Sequence, residues 1–170
     1  WLSAKNQIKV IMLKIILQDP RSIAPFNERA RDLRVQNKPL WLLQRDVLVP
    51  YVEQELELPP DADLPETRAA CLVYRDNLFF DEFYIAAFLE KARQQKRAVQ
   101  AAFTISDAAF REHALPLSSS YTRAGENYLV DLWYYPNGPQ ETAEPLVIDS
   151  QTIEAGYYHV PTYMAYEQGD

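Results

Sequence analysis

The residues best placed to do chemistry are Asp76 and Asn77, within Cys71-Leu-Val-Tyr-Arg-Asp-Asn-Leu-Phe-Phe80, where an apolar run ends in a carboxylate and a helical pattern follows at once. A buried strand that ends this way delivers the carboxylate to the C-terminal edge of a sheet, where open α/β sheets place ligand and metal chemistry. Asp-Asn after a strand is equally an ordinary turn and helix N-cap pair. The local sequence leaves both readings open. Arg29 and Arg31, with Arg34 close by, form a basic cluster. Guanidinium forks suit phosphate but also pair with carboxylates, so the cluster reads either as a small-anion pocket or as a charged surface. The second basic run, Arg93 to Arg97, reads as the solvated end of a helix, where cations favour the dipole.

Other chemistries find less support. A serine nucleophile needs a tight, glycine-flanked elbow, and Ser118 to Ser120 has no such setting. His113 and His159 are too few and too isolated to build a zinc site with Cys71. Cys71 is the only cysteine and lies in an apolar run, so it is expected to be a buried, inert thiol, compatible with a reducing cytoplasmic setting. Tyrosines 128, 134, 135, 157, 158, 163 and 166 either line a sugar-stacking surface or serve as β-formers on half-buried strands.

A chain of 170 residues with 48% hydrophobic and 24% charged residues has enough apolar material for one core, and a single domain is expected. The net charge of −7 opposes a nucleic-acid-coating role, which depends on clustered Lys and Arg displacing counterions from phosphates. No run approaches the roughly 18 apolar residues of a membrane span, and Ile8 to Leu17, which carries Lys9 and Lys14, reads as a strand rather than a signal peptide. Neither nucleic acid nor membrane is an expected partner. Met12 begins Met-Leu-Lys-Ile-Ile-Leu, so residues 1–11 are expected to precede a domain covering 12–170.

The elements that must position Asp76 follow from the pattern. Leu13 to Leu17 is a buried strand stopped at Gln18-Asp19-Pro20, because proline has no donor for the ladder. A helix is expected after Asn37-Lys-Pro-Leu40, running through Trp41 to Asp46, with Val47, Tyr51 and Gln54-Glu55 continuing the pattern towards Leu58 and Pro50 either kinking it or marking its first turn. Pro59 to Pro65 is a loop, Ala69 to Tyr74 a strand, and Asp81 to Gln95 a helix whose Ile85, Phe88, Leu89 and Ala92 share one face. Further strands are expected over Ala98–Ile105, Tyr128–Tyr135, Pro145–Asp149 and Ala155–Tyr166, with a short helix from Ser106-Asp107 to His113. This order predicts an α/β fold with a mostly parallel sheet flanked by helices and antiparallel strands added towards the C-terminus.

Three of these places resemble the sugar-1-phosphate nucleotidyltransferase family, whose Rossmann-like fold joins an NTP to a sugar phosphate and releases pyrophosphate. They are the opening strand Leu13 to Leu17, Val35-Gln-Asn-Lys-Pro-Leu40 before the first long helix, and Tyr74-Arg-Asp-Asn-Leu-Phe79 before the second. The second is similar to the family's Asn-Lys-Pro-Leu element, which shapes the base and sugar-phosphate pocket. The third is similar to Gly-Asp-Asn-Leu-Phe, whose aspartate holds the catalytic magnesium. The resemblance implies that Asp76 is catalytic and binds Mg2+, and that Asn37, Lys38 and Asn77 contact the NTP and the sugar phosphate.

The chain departs from the family at two places. The family's glycine-rich loop lets backbone N–H groups approach the triphosphate without Cβ atoms in the way. Here the strand runs into Gln18-Asp-Pro-Arg-Ser-Ile-Ala-Pro25, and the first glycine is Gly125. Pro20 contributes no donor, and the Asp19 carboxylate is expected to face a triphosphate with like charge. The family's activating lysine aligns near Ala30, with only Arg29 and Arg31 close by. The segment from Lys38 to Asp76 is also short for the family.

Two functions follow. In the first, a diverged nucleotidyltransferase uses Asp76 for magnesium, Lys38 for phosphate, and Arg21, Arg29 or Arg31 in place of the missing backbone donors. In the second, favoured by the glycine-free loop, the fold persists as a non-catalytic binding or assembly module. Its aromatic C-terminal strands would then contact a partner, a second copy of the chain, or a following β-helix domain. The chain resembles the diverged nucleotidyltransferase-like domains found ahead of left-handed β-helix acyltransferase repeats in some bacterial proteins, and no hexapeptide repeat appears in it.

Overall fold

In the computed structural model, described over residues 12–23, 28–35, 37–104, 122–148 and 164–165, the opening apolar run forms β1 (Met12–Leu17). Residues 1–11, the expected Ser106–His113 helix, Ser118 to Ser120, His159 and most of Ala155–Tyr166 lie outside the described residues. Two short antiparallel ladders follow β1: β2 (Ser22–Ile23) with β3 (Glu28–Arg29), and β4 (Arg34–Val35) with β5 (Lys38–Pro39). A single 3-10 turn, Ala30–Asp32, links them. Helix α1 (Leu40–Leu48) then leads into β6 (Val52–Leu58).

That last step corrects the sequence expectation, which carried helical character towards Leu58. Pro50 has no N–H to give a continuing helix. The main chain turns there, with Tyr51 N–H donating to the Leu48 carbonyl. Beyond it Val52, Leu56 and Leu58 alternate with glutamates in a period of two, which suits a strand half covered on one side.

β7 (Cys71–Arg75), β8 (Leu78–Phe79) and α2 (Glu82–Gln95) come next. Asp81 caps α2 by accepting the Tyr84 N–H at 2.9 Å, and Lys96, at φ 58°, closes its other end in the left-handed region. β9 (Val99–Thr104), β10 (Thr122–Ala124), β11 (Asn127–Tyr135), β12 (Glu144–Val147) and β13 (Met164–Ala165) complete the described elements.

The main sheet has the order β6-β1-β7-β11-β9-β12, with β10 paired to β11. β1 runs parallel to β6 and β7, and β9 runs parallel to β12. β11 is antiparallel to both β7 and β9, so it alone in that path runs against the rest. The expected mostly parallel α/β sheet is present, and its antiparallel strand lies inside the sheet.

Both helices pack on one face. Ile85, Phe88, Leu89 and Ala92 of α2 and Leu48 of α1 join Met12, Ile16, Leu72, Tyr74, Phe103 and Leu132 of the strands in the larger core. Ile15, Cys71, Val73 and Tyr135 face the other way, and Leu64 from the proline-rich segment packs on them. Burial pushes the Cys71 thiol above its ordinary pKa, as expected for an inert cysteine. The proline-rich segment is held by the turn after β11. Gln140 Nε2 donates to the Pro65 carbonyl at 2.7 Å, and Gly138, at φ 97°, lies so close that a Cβ there would sit 1.8 Å from the Thr67 carbonyl oxygen.

Candidate functional site

β1 and β7 are neighbours in register, with Leu17 opposite Arg75, so they end level. The Asp76 N–H continues the ladder to the Leu17 carbonyl at 2.9 Å. This brings Gln18-Asp19 and Asp76-Asn77 together at the C-terminal edge of the sheet. The turn bearing Asp76 is secured from α1, whose buried Gln44 donates Nε2 to the main-chain oxygens of Asp76 at 3.2 Å and Leu78 at 2.6 Å.

The first loop folds onto these residues. The Asp19 N–H donates to Asp76 Oδ1 at 2.9 Å, and Asn77 Nδ2 donates to Asp19 Oδ2 at 2.9 Å. Arg21 surrounds the Asp19 carboxylate, its main-chain N–H reaching Oδ1 at 3.1 Å, Nε the same oxygen at 2.9 Å, and Nη2 Oδ2 at 2.7 Å. A main-chain N–H, a guanidinium fork and an amide make the donor set that an oxyanion attracts. Here Asp19 itself occupies it. Its carboxylate is turned inward rather than presented to an incoming anion, as the sequence had suggested.

The other arginines converge on Asp76, which is 1% exposed. Arg29 Nη2 lies 3.2 Å from Asp76 Oδ2, and Arg31 Nη1 lies 3.6 Å from the same oxygen and 3.1 Å from Glu57 Oε2. Gln18 donates its amide to that Glu57 oxygen, and Arg29 Nε reaches the Asp19 carbonyl. Burial pushes the Asp76 carboxyl above its ordinary value, outweighing the Asp19 N–H and the charges of Arg31 and Arg29. Burial pushes Asp19 the same way, but the hydrogen bonds and charge of Arg21, with the Asn77 amide, carry it below its ordinary value. Glu57 is also held low: the bonds from Gln18 and Arg31 overcome its burial.

The structure thus gathers Asp76, Asn77, Arg21, Arg29 and Arg31 of the residues singled out from sequence. It does not bring Asn37 and Lys38 to them. Asn37, at φ 67°, is exposed in the turn between β4 and β5, and its carbonyl accepts from Arg34 Nη1 at 2.8 Å. Lys38 Nζ pairs with Asp46 at 2.8 Å in a separate groove bordered by Phe79 and Phe83.

Sequence reasoning missed three participants. Gln44 reads as an unremarkable helix residue, and only the packing of α1 over β7 shows that it holds the Asp76 turn. Glu57 lies in the strand mistaken for helix. Lys14 lies on the helix-bearing face of β1, where Nζ pairs with Glu55 Oε1 at 2.7 Å; its signal was a lone lysine at a position alternating with Met12 and Ile16.

Among the described residues no three His, Cys, Asp or Glu side chains are grouped to hold a metal ion, and no helix is long and apolar enough to cross a membrane. No protein-family profile and no curated protein matches the chain. Among solved structures it is similar to one from Bacillus anthracis, assigned as a glucose-1-phosphate thymidylyltransferase and crystallised with sucrose. That similarity covers 75% of this chain and 72% of the other, at 10% identity and a TM-score of 0.48.

Proposed function

We propose that this chain is a nucleotidyltransferase-like domain that has exchanged triphosphate binding for an internal ion-pair network, and that it acts as a non-catalytic binding or assembly module. The observation that carries this reading is the Asp19 main-chain N–H donating to Asp76 Oδ1. The donors an NTP would need at this edge are spent on the chain's own carboxylates. An incoming phosphate must displace Asp19, which is tethered beside its donors at high effective concentration.

Magnesium does not fit the arrangement. The ion favours octahedral oxygen coordination, whereas both Asp76 oxygens are engaged, one by an N–H and the other by two guanidinium groups. A divalent cation would have to displace those arginines from a carboxyl whose charged form burial already disfavours.

Calorimetric titration with each common NTP plus magnesium, alongside an assay of pyrophosphate release with sugar phosphates, tests the reading. Binding no tighter than about 1 mM, equivalent to about −4 kcal/mol, is expected, with no pyrophosphate formed. Sub-millimolar binding coupled to pyrophosphate release would overturn it.

The convergence of Arg21, Arg29 and Arg31 favours one competing reading, an enzyme that moves a nucleotidyl group to a sugar phosphate with arginines neutralising the phosphates. In that case Asp76→Asn abolishes pyrophosphate release while the fold persists.

A further inference from the structure

β6 (Val52–Leu58) ends the main sheet on one side, pairing with β1 along its inner edge, and among the described residues nothing pairs with its outer edge. We propose that this outer edge takes up an extended protein segment in which basic and apolar residues alternate, adding it to the sheet as a further strand.

The first argument is the edge itself. The Gln18 N–H donates to the Leu58 carbonyl, so Leu58 turns its main-chain groups towards β1. These directions alternate along a strand, so Leu56 does the same, and the N–H and C=O of Glu55 and Glu57 point outward. Sheets protect such edges by keeping the strand short or placing proline in it. The opposite end of this sheet does both, because β12 has four residues and one of them is Pro145. β6 has seven residues and no proline.

The second argument is charge, which selects the occupant. Glu55 and Glu57 share the helix-bearing face with Lys14 and Ile16, their partners in register. Lys14 and Arg31 pair with them from the inner side. Glu53, Asp61 and Asp63 are exposed and form no ion pair among the described residues, so the border of the sheet is acidic. A second copy of the chain fits poorly. Glu55 and Glu57 are the residues that offer main-chain groups outward, so a two-fold antiparallel pairing of β6 with itself sets glutamate opposite glutamate, which is destabilising. Lysine or arginine opposite those positions is favourable instead. On the other face Leu56 is half-buried and joins neither core. Successive side chains of an added strand point to opposite faces, so its basic residues would meet the glutamates and its apolar ones Leu56.

This proposal holds whether or not the ends of β1 and β7 bind NTP. It is tested on the full chain with a capped eight-residue peptide alternating lysine and valine, beside the same peptide with glutamate for lysine and two versions N-methylated at one or the other alternate set of residues. Calorimetry is expected to give a Kd below about 1 mM for the lysine peptide and no binding of the glutamate one. One N-methylated set should weaken binding at least about tenfold and the other should not, since an added strand turns every second N–H towards β6. Hydrogen exchange followed by NMR should show the Glu55 and Glu57 amides slowed at least about tenfold by the peptide. Glu53→Lys, at an exposed position that leaves the fold intact, should weaken binding about threefold or more. The proposal is overturned if the lysine peptide does not bind, if the glutamate peptide binds as well, if both N-methylated peptides bind like the parent, or if Glu53→Lys changes nothing. Slowing of the Glu55 and Glu57 amides by raised chain concentration alone would make a second copy the occupant and overturn it too.

Discussion

Asp19 and Asp76 lie 57 residues apart in the chain, yet the main-chain N–H of the first is bonded to the carboxylate of the second. Both residues close strands that end level, so the contact follows from the parallel register of β1 and β7. It ties the loop after β1 to the turn after β7. The Asp19 side chain, bonded to Arg21 and Asn77, then fills the remaining oxyanion position.

Replacing that side chain should reopen the position. Asp19→Gly with Pro20→Gly removes the carboxylate that Arg21 and Asn77 now hold and restores a main-chain donor at residue 20. NTP affinity by calorimetry is expected to rise at least about tenfold, or about 1.4 kcal/mol. The same change removes a charge-assisted pair and should lower stability by about 1–3 kcal/mol. Tight NTP binding by the native chain, unimproved in the rebuilt one, would show that Arg21 already serves phosphate.

The network's carboxyls should give opposing pH dependences. Asp76 is held above its ordinary 3.8, so the folded state keeps that proton longer than the unfolded chain does. Stability from this group therefore falls as pH rises from about 3.8 through the folded value. Asp19 and Glu57 are held below 3.8 and 4.5, so their contribution is complete above those values and is lost as pH drops through their folded values. Asp76→Asn removes the first effect alone. Urea midpoints for the variant are expected to gain on the native chain as the pH rises from about 3.8 through the folded-state value of Asp76. A constant offset across that window would refute the assignment.

Two glycines with positive φ should respond unequally to alanine. At Gly138 the new Cβ would collide with the Thr67 carbonyl, whereas at Gly125, φ 64°, nothing lies within 4 Å. Gly138→Ala is expected to cost about 3 kcal/mol or more, and Gly125→Ala about 1–2 kcal/mol for the left-handed conformation alone. Chemical denaturation of the two variants checks this, and equal losses would mean that the two loops separate easily.

The sequence made Asp76 legible because a short run of buried strand residues followed by Asp-Asn can be recognised locally. The α2 face was legible for the same reason, its period of 3.6 being carried by Ile85, Phe88, Leu89 and Ala92. Val52 to Leu58 was not, since Val47, Tyr51 and Glu55 satisfy helical spacing by coincidence, and only pairing with β1 decides for the strand. The role of Asp19 was half legible. Pro20 does withhold a donor, but the direction of the Asp19 side chain depends on Arg21 and on Asn77, which lies 58 residues away.

The place of β11 has a consequence for synthesis on the ribosome. β7 and β9 are made before the strand that joins them, so a nascent chain reaching Thr104 carries two apolar strands whose facing edges are both open. Translation adds about 5–20 residues per second, so after Thr104 those edges wait about 1–6 seconds for residues 127–135 to be added. Over that interval they offer ready templates for pairing with another chain. Protection of the strand that leads into Asp76 thus depends on a segment made late, and a chaperone that holds these edges apart would act in that interval.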